Sequence, residues 1–200
     1  MTAARPGDDA AAPSGPVLVR PRRAADAAPL GDLLVRDRPV TGYPAVPPVD
    51  AAAWVAGPDD LAAFVATDGA GAVVGHVGVQ AAAAVDHGTG PALQEAWSRA
   101  LGRPVEECAV VARLFVSARH QRRGVGARLL ERAVGWVEGR GMAPCLDVLP
   151  LPDDGALCFY ERLGWVRAAE LWAHWHRPGW PPLVALVLPA GTAPTPGVST

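Results

Sequence analysis

The chain has 200 residues, half of them apolar and 19% charged, with a formal net charge of −2. That length suits one domain with a sizeable core, and the near-neutral charge argues against a general nucleic-acid binder, which carries a basic excess. No apolar run approaches the ~20 residues that cross a bilayer, and the opening MTAARPGDDAAAPSGP lacks the apolar stretch of a secretory signal. Cys108, Cys145 and Cys158 are few, odd in number and scattered, which suits a reducing, cytoplasmic interior better than a disulfide framework. All 18 basic residues are arginine. A soluble single-domain protein remains.

Residues 1–15 and 191–200 are rich in Ala, Pro, Gly and Ser without periodicity and read as disordered tails around a domain at 16–190. Val17-Leu18-Val19-Arg20 reads as a strand, and Asp26 as the cap of a short helix carrying Leu30, Leu33 and Leu34 on one face. Residues 37–60 are proline-rich and read as irregular, with Trp54 and Val55 as inward anchors. Residues 61–67 and 72–80 are apolar runs around Asp68-Gly69-Ala70-Gly71 and predict a β-hairpin. Pro91 to Leu101 predicts a helix ended by Gly102. The near-continuous apolar run 108–116 predicts a strand covered on both faces.

A second helix follows, with Val125, Leu129, Ala133 and Val137 in one stripe. Residues 145–149 predict a strand, and Asp153 or Asp154 caps a helix with Phe159, Tyr160 and Leu163 on one face and Gly164 as its stop. Trp165-Val166 and Leu183–Leu188 read as the last strands. Strands alternating with helices in this order predict an α/β sheet covered on both sides.

The most informative stretch joins the 108–116 strand to the next helix through Gln121-Arg122-Arg123-Gly124-Val125-Gly126. The first amides of a helix lack intrahelical partners and carry partial positive charge, so a pyrophosphate suits that position. Glycine at 124 and 126 keeps side chains out of the anion's way, and Arg119, Arg122, Arg123 and Arg128 add charge that pairs with phosphate. Seven arginines against two glutamates between 110 and 140 make this face basic. The loop has neither the Gly-Lys-Ser/Thr of a P-loop nor the G-x-G-x-x-G spacing of a dinucleotide fold. On its own it also fits a helix cap with solvated arginines.

Two motifs in order lead further. The loop from Gln121 to Gly126 and the later Tyr160-Glu161-Arg162-Leu163-Gly164-Trp165, with a strand between them, resemble the GNAT superfamily of N-acetyltransferases. The resemblance is tight over 108–167, plausible over 16–80, and vague over 37–60 and 168–190. It implies a mixed, mostly antiparallel sheet of six or seven strands, with a splayed parallel pair (the fourth and fifth) and helices on both faces. It also implies a bulge in the fourth strand and acetyl-CoA as co-substrate, with no metal. Leu114, Phe115 and Val116 would then present backbone groups to the pantetheine arm, and Gln121, Arg122, Arg123, Gly124, Val125 and Gly126 would hold the pyrophosphate.

The reaction so implied is direct attack of an amine, from a small molecule or a peptide, on the thioester. Tyr160 matches the family's proton donor to the leaving thiolate; a phenol titrates near ~10 and a thiol near ~8.5, so it acts as a hydrogen-bond donor or conduit rather than a strong acid. Relatives carry a carboxylate within the fourth strand, whereas Val110, Val111 and Ala112 stand there in this chain. Glu107 and Glu106 just before that strand, and His76 in the hairpin, are the candidate bases. The missing carboxylate also fits a catalytically silent acyl-CoA-binding domain, and a longer acyl-CoA is a further alternative donor.

Three other features lie outside the motifs. His174-Trp175-His176 places two imidazoles on one face of a strand, without the further ligands a metal needs. Seven tryptophans suit core packing, an acceptor pocket or a homodimer. Cys158 reads as a small core residue.

Overall fold

The apolar run Cys108–Val116 is the middle strand, β4, of a seven-stranded sheet in a computed structural model that describes residues 15–152 and 155–191. The other strands are β1 (Leu18–Pro21), β2 (Asp60–Thr67), β3 (Val73–Ala81), β5 (Ala143–Val148), β6 (Val166–Leu171) and β7 (Leu183–Val187). The helices are α1 (Ala27–Thr41), α2 (Ala51–Ala56), α3 (Ala92–Leu101), α4 (Val125–Glu138) and α5 (Ala156–Arg162). The strand order is β1-β2-β3-β4-β5-β7-β6, in which β4 and β5 pair in parallel and every other pair is antiparallel. The tails expected at 1–15 and 191–200, and the cap expected at Asp153 or Asp154, fall almost wholly outside the described residues. Among those residues no helix is long and apolar enough to cross a membrane.

One face of the sheet is covered by α4 and α5. Val125, Leu129, Ala133 and Val137 are buried there against Ala109, Val111 and Leu146, as the helical stripe predicts. The other face carries two smaller cores. Leu93, Ala96 and Trp97 of α3 pack on Cys108, Val110 and Cys145, and Leu30, Leu33 and Leu34 of α1 with Val55 of α2 pack on Val65 and Phe115. Trp97 is fully buried, and its indole N–H donates to the carbonyl of Leu146 at 3.1 Å.

The N-terminal third departs from the sequence reading. The helix after Asp26 is long rather than short, and the Asp26 side chain does not cap it: the carboxylate takes both Arg20 nitrogens at 2.7 and 2.8 Å and the Arg23 amide at 2.7 Å. Residues 37–60 are not irregular throughout. α1 runs on through Pro39 to Thr41, and α2 is capped by Asp50, which accepts from the Ala53 amide at 2.9 Å. α2 lies against α1 where Gly31 has no side chain; a Cβ there would stand 2.7 Å from the Ala52 nitrogen. Val55 is the buried anchor and Trp54 is half-buried.

Candidate active site

A cleft opens where β4 leaves β5. The two pair only from Cys108–Val110 to Ala143–Cys145, although β4 runs on to Val116 and β5 to Val148. On β4, Cys108, Val110 and Ala112 face the α3 side; the next residue on that face is Phe115, because Arg113 (φ +52°) is an extra, left-handed residue. The β3 register confirms the bulge: His76 pairs with Phe115 and Gly78 with Ala112, so two steps on β3 match three on β4. The bulge turns β4 away from β5. Beyond Val110, the β4 edge toward β5 therefore has backbone groups that no strand occupies, where amides of an extended ligand can pair.

At the far end of β4 the chain turns through a 3-10 turn, Ala118–His120, into α4. Ser117 anchors this turn: its amide donates to Val74 and its carbonyl accepts from His120 and Gln121. Asp37 of α1 accepts the Ala118 amide at 2.9 Å. Arg122 (φ +59°) and Gly124 (φ +76°) are both left-handed. The first hydrogen bond of α4 runs from the Arg128 amide to the Gly124 carbonyl, so the amides of Val125, Gly126 and Ala127 point out of the helix start. A Cβ on Gly124 would meet nothing within 4 Å, and one on Gly126 would meet Phe159 at 3.5 Å and Val116 at 3.7 Å. Arg119, Arg122, Arg123 and Arg128 are exposed around this rim. Arg113, counted among the basic residues of this stretch, belongs elsewhere: it turns to the opposite face of the sheet.

Leu114 and Val116 pack toward the α4 face and Phe115 toward α1. Gln121 Nε2 donates to the Val116 carbonyl at 3.3 Å. On the same side as α4, Tyr160 of α5 is half-buried, with Phe159 at 5.1 Å and Trp165 at 6.0 Å between ring centroids. Cys158, read as a core residue, is exposed.

The candidate bases are placed unequally. Glu107 lies in a 3-10 turn before β4, at the end where β4 and β5 still pair; it is exposed and 3.6 Å from Arg103. Glu106 shares that turn and is exposed too. His76 is fully buried. Its Nδ1–H donates to the Arg113 carbonyl at 3.0 Å and its Nε2 faces Arg22 Nη1 at 3.4 Å, so both ring nitrogens are engaged and the ring clamps the bulge. Desolvation pushes its pKa down to about 3, with Arg22 and Arg113 adding to the effect against the hydrogen bond to the Arg113 carbonyl.

This has a measurable consequence. The unfolded chain protonates this imidazole near its ordinary value while the folded protein keeps it neutral, so stability present above pH ~6.5 falls by about 1.4 kcal/mol per pH unit as acid is added, down to the folded pKa. Urea titrations between pH 7 and 5 are expected to show that loss, and His76→Gln to show a shallower slope. Equal slopes would mean the ring is charged in the folded state.

Beside His76, Asp60 at the start of β2 lies between Arg113 and Arg22, with 4% of its side chain exposed. Arg22 also donates to the Val55 and Ala56 carbonyls, and Arg113 lies over the Trp54 ring at 5.8 Å. Burial pushes the Asp60 carboxyl upward, and the two guanidinium groups counter it.

Across the cleft Asp147 stands on the splayed half of β5. Its Oδ2 accepts from Nδ1 of His87 at 2.9 Å. The Trp175 indole N–H donates to the His87 carbonyl at 2.6 Å, and the His174 amide to Gly88 at 3.1 Å. Tyr43 shares this side; burial pushes its phenol up, with the Arg113 charge opposing and the Asp147 charge adding. His174-Trp175-His176, read as strand, is a turn after β6. His176 Nδ1 accepts the Ala173 amide at 2.8 Å, its Nε2 lies 3.1 Å from the Pro181 carbonyl, and its ring stacks on Trp175. Among the described residues no group of three or more His, Cys, Asp or Glu could hold a metal.

Sequence reasoning passed over Asp60, Arg113, His87 and Asp147. Asp147 had one usable signal, a lone charge within the apolar run Cys145–Leu149. His87 had none, because its partner is 60 residues away.

The profile of the acetyltransferase (GNAT) family matches residues 29–165. The mycothiol acetyltransferase of Saccharopolyspora erythraea is 41% identical over 78 residues, covering 32% of this chain and only 23% of that protein. The ribosomal-protein-S18-alanine N-acetyltransferase of Escherichia coli superposes with a TM-score of 0.60 at 20% identity, covering 86% of this chain and 93% of that one. A GNAT-family acetyltransferase from Desulfovibrio desulfuricans reaches 0.63 at 19% identity, covering 89% of this chain and all (100%) of the other. The splayed strand pair, the bulge and the glycine-led helix start thus occur in a chain that belongs to the GNAT family of acetyltransferases.

Proposed function

We propose that the protein transfers an acetyl group from acetyl-CoA to a primary amine of a small molecule or a peptide. The observation that carries this reading is the coincidence of two sets of backbone groups without a strand or helix partner: the β4 edge toward β5 beyond Val110 and the first amides of α4. The backbone of Leu114, Phe115 and Val116 is suited to pair with the pantetheine amides. The amides at Val125 and Gly126 and the side chains of Gln121, Arg122 and Arg123 around Gly124 are suited to the pyrophosphate. Gripping the carrier far from the reacting carbon orients the thioester between β4 and β5.

Tyr160 is assigned to the sulfur. It stands on the α4 side of the sheet, the side from which the α4 amides hold the donor, and its hydroxyl would hydrogen-bond the thiolate as the C–S bond breaks. Glu107 and His76 receive no proton-transfer role: the first lies at the wrong end of β4, and the second has both nitrogens occupied.

The test has two stages. Calorimetry is expected to detect acetyl-CoA binding, and an amine panel to elicit release of free thiol. Tyr160→Phe is then expected to lower kcat roughly tenfold while leaving acetyl-CoA affinity within about twofold. Unchanged kcat would return Tyr160 to a packing role.

A further inference from the structure

We propose that His87, oriented by Asp147, takes the proton from the acceptor, which enters as a primary alkylammonium ion on the face of the sheet opposite α4. The inference rests on the acetyl-transfer reading above and names the group on the acceptor side.

Asp147 lies two residues beyond Cys145, the last β5 residue paired with β4, and therefore opposite Ala112, one residue short of the bulge at Arg113. Its side chain alternates with Leu146, which is buried on the α4 face, so Asp147 points to the α3 face. Tyr160 occupies the α4 face. A thioester held in the slot between β4 and β5 would thus meet Tyr160 from one side of the sheet and the His87–Asp147 pair from the other. The attacking nitrogen and the departing sulfur become separate substituents of one tetrahedral carbon, so the groups that serve them can reach it from different faces.

The pair is also held as a base must be. A carboxylate accepts only from a protonated nitrogen, so Nδ1 of His87 carries the proton toward Asp147 and Nε2 keeps its lone pair. The Asp147 side chain is 10% exposed and that of His87 is 41% exposed, which leaves the ring reachable by an acceptor while its partner is shielded. The loop has little freedom to move. His87 is left-handed at φ +47°, and Trp175 and His174 bond the carbonyls of His87 and Gly88. A Cβ at Gly88 would stand 2.7 Å from His174 and 2.8 Å from Trp175, so only glycine admits the 172–176 turn this closely. Holding an unfavourable backbone through a separate loop fits a residue whose ring position matters.

His87 Nε2 takes one proton from the ammonium, and the nitrogen lone pair then forms the C–N bond. The C–S bond breaks with its electron pair going to sulfur, which draws a proton through Tyr160, and the second nitrogen proton leaves to solvent as the amide forms.

The groups facing His87 set its titration. Burial disfavours the charged ring, but Asp147 and then Asp86 outweigh it against the opposing charge of Arg113, so the pKa lies above the ordinary histidine value. His174 and Trp175 reach this loop through its backbone carbonyls. A base must be neutral to act, so turnover rises with pH through that raised value.

The test uses the full chain, acetyl-CoA, and three alkylamine probes (benzylamine, putrescine and a tripeptide with a free amino terminus) beside p-anisidine, an arylamine neutral at pH 7. His87→Asn is the first variant, because asparagine tolerates left-handed backbone. It is expected to lower transfer to the accepted alkylamine on the order of 100-fold, with acetyl-CoA affinity unchanged and transfer to p-anisidine within about threefold. Asp147→Asn, which keeps an acceptor for Nδ1–H but removes the charge, is expected to move the rising limb of the pH profile to lower pH. Wild-type turnover of the alkylamine by His87→Asn, or an unmoved limb in Asp147→Asn, would overturn the assignment. So would wild-type protein that binds acetyl-CoA yet acetylates none of the probes. Failure of the underlying reading looks different: wild-type protein would not bind acetyl-CoA in calorimetry, before any amine is added.

Discussion

Replacing Gly126 by glutamate is expected to weaken acetyl-CoA binding on the order of 100-fold without loss of fold. Gly126 is the second residue of α4, its amide is one of those with no helical partner, and a Cβ there has ordinary contacts with Phe159 and Val116. A carboxylate in the first turn of a helix is favourable by about 0.3–1 kcal/mol, so the variant keeps or gains thermal stability. The same carboxylate would stand within ~5 Å of a bound diphosphate. At an effective dielectric constant of ~20, each unit of like charge at that distance costs about 3 kcal/mol, more than the ~2.7 kcal/mol that corresponds to a hundredfold in affinity. Calorimetric titration with acetyl-CoA, paired with a melting curve, reads both halves. Gly124 is a poorer probe: its φ of +76° strains any other residue, so a loss of binding there would mix backbone distortion with repulsion. Undiminished affinity in Gly126→Glu would place the pyrophosphate away from α4.

The second large effect is structural. Asp60→Ala is expected to cost about 3 kcal/mol of stability, because it leaves two largely buried guanidinium groups, 15% and 11% exposed, without their carboxylate. For a chain of this size that corresponds to a fall in Tm of roughly 6–12 °C. Asp60→Asn, which keeps the shape and one acceptor, is expected to lose less. The pair also braces the cleft: Arg113 is the bulge residue, its carbonyl takes the His76 ring N–H, and its guanidinium is held by Asp60. A variant that melts like wild type would mean that the two arginines find water or other acceptors and that the bulge does not depend on this clamp.

The two halves of the chain differed in how much they disclosed. From Cys108 to Trp165 the order of elements, the α4 stripe and the glycine-led helix start were all readable, because each depends on local spacing. Period two or 3.6, a cap and a stop are written within a few turns of chain. The bulge was anticipated only through family resemblance; nothing local at Arg113 announces a left-handed residue. The stretch 37–60 was misread because what makes α2 a helix is partly remote. Asp50 caps it nearby, but it persists by docking on α1 at Gly31 and burying Val55. Asp26 shows the same limit. It stands where a cap belongs, yet Arg20 across the β1 turn competes for its carboxylate and wins with two charge-assisted bonds.

Residue order thus specified the proposed carrier grip, since an anion site at a helix start needs only consecutive residues: a strand, a left-handed glycine and unpartnered amides. The proposed acceptor side depends on folding. Tyr43, Arg113, His87 and Asp147 come from four distant segments; His87 bonds Asp147, and the charges of Arg113 and Asp147 act on Tyr43, only in the folded sheet, with the 172–176 turn closed on Gly88. A charge becomes a partner when burial removes the water that would otherwise screen it, and which charges share that burial is a property of the packed sheet rather than of any window along the chain.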